Sequence, residues 1–203
     1  MEQIVYVKNY GAPPFHTEEM LRYAGVREPL PEMRSLLTEC LGEVQDKFVY
    51  RVCYAEVPIS REDKLIRFDF IEAASKDLEK HLENCDTAVL FAATVGIAID
   101  RLIAKYGVRS PSKALMLQAI GAERIESLCD VFETEITERE RKRGRETCFR
   151  FSPGYGDLPI ALQRDIFGML DCPRKIGLTL NDSHLMSPSK SVTAIIGIKN
   201  SQE

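Results

Sequence analysis

Residues 49–70 read VYRVCYAEVPISREDKLIRFDF, and this stretch decides the fold. Tyr50, Val52 and Tyr54 alternate with their neighbours, and Leu65, Ile66, Phe68 and Phe70 form a second apolar set beyond the polar segment 60–63. A period of two places alternate side chains on one face of a strand, so two strands around a turn are expected. A connection that short joins antiparallel neighbours.

Outward from this pair the period changes. Met33, Leu36, Leu37, Cys40, Leu41 and Val44 recur at three- and four-residue spacing, which predicts a helix over 31–48 with that face inward. Before it come a short strand at 4–7 and a helix opened by Thr17 and closed by Gly25. After the pair, Ser75 is expected to cap a helix reaching residue 83, with a buried strand at 88–93 and a helix over 95–106 ended by Gly107. Ser110 and Pro111 open the longest helix, with Leu117, Gly121, Ile125, Leu128, Phe132 and Ile136 on its inward face. Its end pairs Glu135 with Arg139 and Glu138 with Lys142 at i,i+4. The basic run 139–145 there reads as a solvated helix end or, locally, as a docking patch for an acidic partner. A strand at 147–151, a Pro/Gly-rich loop, a helix over 160–170 and strands at 175–180 and 191–198 complete an α+β chain with a mostly antiparallel sheet.

Composition narrows the function. The 203 residues carry 27 Lys and Arg against 31 Asp and Glu, a net charge of −4, so no global positive field awaits nucleic acid or an anionic membrane. At 44% hydrophobic the chain can bury a core. Its longest uncharged apolar stretch, residues 87–99, is too short to span a bilayer, which takes about 20 residues. The N-terminus shows no secretory pattern, which implies a cytoplasmic location. Cys40, Cys53, Cys85, Cys129, Cys148 and Cys172 form no CxxC pair and read as free, mostly buried thiols. His16, His81 and His184 stand apart from one another, so no metal site is expected. Neither GxGxxG nor GxxxxGK[ST] occurs, which removes the phosphate cradles of dinucleotide and P-loop folds and of a Rossmann-type methyltransferase. Asp182-Ser183-His184 holds the residue types of a hydrolase triad without a nucleophile elbow and reads as a turn.

The loop Arg150-Phe-Ser-Pro-Gly-Tyr-Gly-Asp-Leu-Pro159 is where chemistry concentrates. Pro153 holds its own φ and keeps Ser152 extended, while Gly154 and Gly156 permit positive φ and close approach of a ligand to the main chain. Arg150 can offer a guanidinium fork to a carboxylate, or sit in a surface ion pair, and Tyr155 supplies a flat wall.

This run resembles the R-x-x-P-G-Y-x-x-x-P loop of the activation domain of cobalamin-dependent methionine synthase, with Arg150, Pro153, Gly154, Tyr155 and Pro159 in matching places. Ile176-Gly-Leu-Thr-Leu, His184-Leu-Met-Ser-Pro188 and Ser191-Val-Thr are similar to the family's closing segment, and the match spans residues 110–198. Arg22, Tyr23 and Gly25 resemble loosely an element of free-standing versions. The resemblance implies one domain over 1–203, with a twisted antiparallel sheet flanked by helices, that binds S-adenosylmethionine. Arg150 would hold the methionyl carboxylate, the main chain at Ser152 and Gly154 would meet the adenine, and Tyr155 would support the pocket. The chain would act as an activation subunit for reductive methylation of cobalamin carried by a separate methionine synthase or corrinoid protein, with a flavodoxin-like reductant as a further partner. Methyl transfer of this kind needs alignment more than acid–base groups, so no catalytic side chain is assigned. Ile195 and Ile196 stand where the family has aromatic residues, one a ligand-contacting tyrosine, and the family's acidic contact to the ligand's ammonium has no assigned position. These departures motivate the alternative, an interaction protein that docks on a corrinoid protein without binding S-adenosylmethionine.

Overall fold

The computed structural model describes residues 3–28, 30–62 and 65–199. Its first half runs β1 (Tyr6–Tyr10), α1 (Thr17–Tyr23), α2 (Pro31–Val44), β2 (Tyr50–Glu62), β3 (Leu65–Phe68), β4 (Ile71–Ala73), α3 (Lys76–His81) and β5 (Cys85–Thr94). The second half holds α4 (Ala98–Gly107), α5 (Pro111–Arg141), α6 (Leu162–Leu170), α7 (Cys172–Ile176), β6 (Thr179–Leu180), β7 (Met186–Ser187) and β8 (Ser191–Lys199).

The expected strand pair is β2 and β3, antiparallel from Ile59 opposite Phe68 to Glu62 opposite Leu65. β2 is longer than its alternation suggests, because Ser60, Arg61 and Glu62 remain in the strand. Asp63, the last residue of the expected turn, lies outside the described residues. The first part of β2 pairs with β1 and its last part with β3, while β5 pairs along its other side. The main sheet runs β4-β3-β2-β5-β8, antiparallel throughout.

Both faces of this sheet are covered, which explains why β5 is apolar along nearly its whole length. Ala88, Leu90 and Ala92 pack with Cys53, Ala55 and Val57 against Leu162, Ile166 and Leu170 of α6. Val89 and Phe91 pack with Val52 and Tyr54 against Ile125, Leu128, Phe132 and Ile136 of α5, part of the inward face expected for that helix. The first turns of α5 bury Leu117 and Ile120 against Met20, Leu37, Cys40, Val44 and Ile99 from α1, α2 and α4.

Several local expectations need correction. β1 lies at Tyr6–Tyr10 rather than 4–7, and α2 stops at Val44, with a 3-10 turn at Gln45–Lys47 taking up the remainder. α4 begins at Ala98 because Gly96, at φ +84°, first turns the chain out of β5. The expected strand at 175–180 is mostly the helix α7: Pro173 sits in its first turn and Gly177, at φ +71°, ends it, so only Thr179 and Leu180 extend. Neither expected i,i+4 pair of α5 forms, and Glu135 and Arg139 take other partners. Glu135 accepts from Lys8 and from the Tyr10 hydroxyl of β1, and Arg139 reaches Glu56 of β2 and Glu140. Glu140 is 1% exposed and gathers Arg139, Arg143 and Arg145, so these three arginines of the basic run are internally engaged.

The six thiols are free, five of them buried and Cys148 partly so. Among the described residues no helix is long and apolar enough to cross a membrane.

Candidate functional site

Residues 147–151 run beside β8, bridging Thr147 to Ile198 and Phe151 to Ile195. The Cys148 and Phe151 amides donate to the Gly197 and Ile195 carbonyls, each at 2.9 Å. At Pro153 the chain turns away, and the margin of β8 from Ser191 to Thr193 opens into a cleft of about 570 Å³. α5 supplies Glu126 and Glu133 to its wall, residues 149–155 another side, and Gln163 of α6 its far side.

The loop is held rigidly. The Gly154 amide donates to the Leu158 carbonyl at 2.9 Å, Tyr155 to Ser152 at 3.2 Å and Leu158 to Tyr155 at 3.0 Å. Asp157 then caps α3: its carboxylate accepts from the Ser75 hydroxyl and from the amides of Lys76 at 2.8 Å and Asp77 at 3.2 Å. The Asp77 carboxylate returns the contact to the Asp157 amide at 3.1 Å. The Ser75 hydrogen bond, with those two amides, holds the Asp157 carboxyl below its usual pKa.

Gly156, at φ +54°, closes this staple against the Asp77 carboxylate with no room for a Cβ. Gly156→Ala is therefore expected to destabilise the chain by about 2 kcal/mol, the scale of forced left-handed backbone plus a clash. Thermal unfolding and protease cleavage within 152–159 would show it; an unchanged midpoint and an intact loop would contradict the staple.

Arg150 stands between the loop and α5. Its guanidinium meets Glu126 at 2.8 Å, Asp130 at 2.7 Å and Glu133 at 2.5 Å, while its amide donates to Glu133 at 3.1 Å. Burial opposes its charge, and the hydrogen bonds to these three acids outweigh it and raise the pKa. The surface ion pair considered from sequence is thus present, in a denser form. Nη1 donates to Glu133 and Nη2 to Glu126, with Asp130 2.7 Å from Nη1, while Nε–H has no hydrogen-bond partner among the described residues.

Of the other residues named from sequence, Ser152 and Tyr155 line the cleft, and Tyr155 is 68% exposed there. Gly154 sits behind that lining, at φ +94°, with its amide committed inside the loop. Ile195 and Ile196 are fully buried on opposite faces of the sheet, so β8 presents Ser191, Val192 and Thr193 to the cleft instead. The N-terminal element lies near: burial first, and the Glu126 carboxylate second, raise the Tyr23 phenol, while Arg22 stacks over the Tyr23 ring at 4.7 Å. Asp182-Ser183-His184 is a turn, with the Asn181 carboxamide accepting from the Ser183 and Leu185 amides. No cluster of three metal-ligating side chains occurs among the described residues.

Sequence reading missed Glu126, Asp130 and Glu133. Their spacing, i, i+4 and i+7, is a helical stripe beside the apolar face of α5, and that periodicity was a usable signal. What it lacked was a partner, since Arg150 arrives from 17 to 24 residues further along the chain.

The family model for the vitamin B12 dependent methionine synthase activation domain matches residues 59–203. The crystal structure of the MetH reactivation domain bound to AdoHcy aligns with a TM-score of 0.69 and 14% identity, covering 100% of this chain and 80% of that one. A comparison with curated proteins finds no match.

Proposed function

Because the chain belongs to the family of the vitamin B12 dependent methionine synthase activation domain, we propose that its cleft binds S-adenosylmethionine and presents the sulfonium methyl to a cobalamin held by another polypeptide. The observation that carries this reading is the charge pattern around Arg150: one guanidinium at the cleft, set among Glu126, Asp130 and Glu133. S-adenosylmethionine carries one carboxylate, one ammonium and one sulfonium. A phosphate-bearing ligand would meet the carboxylates of Glu126 and Glu133 against one arginine, whereas this ligand's two cationic groups complement these acids while its carboxylate pairs with Arg150. The crystal structure of a reactivation domain with AdoHcy supports the reading, since AdoHcy is what remains after the methyl leaves.

The cleft's volume falls in the range of small-ligand pockets. Arg150 would hold the carboxylate through its guanidinium, and Glu126 and Glu133 would face the ammonium and sulfonium. Tyr155 would flank the adenine, with the Ser152 carbonyl offering a main-chain acceptor. Cobalamin supplies the nucleophile that receives the methyl group. The chain's own task is to fix the methyl donor on a rigid loop at an open margin of the sheet, an orientation effect that needs no general acid or base.

The test is reconstitution. Added with S-adenosylmethionine and a reductant to a cobalamin-binding methionine synthase chain lacking its own activation module, this protein is expected to restore methylcobalamin, followed by absorbance. Equal recovery with and without the protein would contradict the proposal.

A further inference from the structure

Gln163 and Thr193 both line the cleft, and each carries a buried polar atom with no hydrogen-bond partner among the described residues, Oε1 of Gln163 and Oγ1 of Thr193. Gln163 is 7% exposed and Thr193 1%. Buried polar groups are almost always satisfied, because leaving one without a partner forfeits its hydration for nothing. Here two belong to residues that line one cleft, one on β8 and one on α6. Thr193 is fixed in β8 opposite Ala92, whose side chain belongs to the layer packed on α6. Gln163 lies in the first turn of α6, its amide donating to the Ile160 carbonyl at 3.1 Å.

Resting on the reading of this cleft as the S-adenosylmethionine site, we propose that Gln163 and Thr193 are specificity-determining residues that hydrogen-bond the vicinal hydroxyls of the ligand's ribose. The rest of the ligand has other partners. Its carboxylate suits the guanidinium of Arg150, its cationic groups suit the acids of α5, and its adenine is flat and suits Tyr155. The sulfonium has no hydrogen to donate. What remains is a pair of adjacent hydroxyls, and the cleft offers one amide oxygen that can only accept and one hydroxyl that can accept or donate. Binding then repairs two unsatisfied groups at once, so a ligand lacking the hydroxyls is discriminated against more strongly than lost contact area alone would explain.

The experiment uses Thr193→Val, which removes the hydroxyl at nearly constant volume, and Gln163→Met beside it. A residue with a purely structural role would lose stability when truncated. Here each variant, without ligand, is expected to melt at or a few degrees above the wild type, because an unsatisfied buried group has gone. Each is also expected to bind S-adenosylmethionine about tenfold more weakly, while its affinity for the 2′,3′-dideoxy analogue matches that of the wild type. Wild-type affinity for S-adenosylmethionine in both variants, or undiminished discrimination against the dideoxy analogue, would overturn this assignment and leave the site intact. Failure of the wild type itself to bind S-adenosylmethionine would overturn the site reading as well.

Discussion

Arg124→Ala is expected to lower the stability of the chain by about 3–5 kcal/mol, the scale on which a buried ion pair fails when one partner is removed. Arg124 is fully buried. It donates to the Pro13 and Pro14 carbonyls at 2.7 and 2.6 Å, to the Glu123 carboxylate and to the Ser127 hydroxyl, and its guanidinium lies 4.1 Å from the Phe15 ring centroid. Alanine would strand Glu123, itself 2% exposed, and leave two carbonyls of the segment before α1 without a donor. For a chain of this length the loss corresponds to a fall of roughly 10 °C or more in the unfolding midpoint. Changing both members, Glu123→Gln with Arg124→Met, should cost less, because no charge is then left unpaired. A midpoint within 1 °C of the wild type for Arg124→Ala would show that the network carries no weight.

The second large effect is on binding. Arg150→Ala is expected to reduce affinity for S-adenosylmethionine at least about 100-fold, the cost of two charge-assisted hydrogen bonds. Three carboxylates would then converge without their shared cation. Since that repulsion could loosen the loop, Arg150→Lys separates the two causes. Lysine keeps the charge and the neutralisation but has no planar fork, so it should fold like the wild type and still bind about tenfold more weakly or worse. Calorimetric titration of the three proteins reads this directly, and full affinity in the lysine variant would remove the fork from the account.

Much of the fold was legible because it rests on local periodicity. The alternation at 49–70 gives β2 and β3, and Leu117, Gly121, Ile125, Leu128, Phe132 and Ile136 give the inward face of α5. Pro153, Gly154 and Gly156 announced a bent loop, and the motif around them pointed to the family. Failures came where distant groups compete for local ones. Glu135 and Arg139 stand at favourable helical spacing, yet Lys8, Tyr10 and Glu56 on neighbouring strands win them, because a tertiary partner adds burial that an exposed helix pair lacks. Nothing local sets Glu123 and Arg124 apart from the other charges of α5, and only the fold brings Pro13, Pro14 and Phe15 onto Arg124. Arg150 was singled out by its motif, but the three acids that meet it were not, since nothing in a linear chain says which stripe of α5 will face it.

Calorimetric titration of the wild-type protein alone with S-adenosylmethionine decides whether the Arg150 cleft binds this ligand. The charge pattern of the Arg150 cleft predicts saturable one-to-one binding, with protection of the 149–155 segment from hydrogen exchange when the ligand is bound. No heat and no protection at ligand concentrations up to the millimolar range would contradict it, and the alternative of a docking protein without this ligand would take its place.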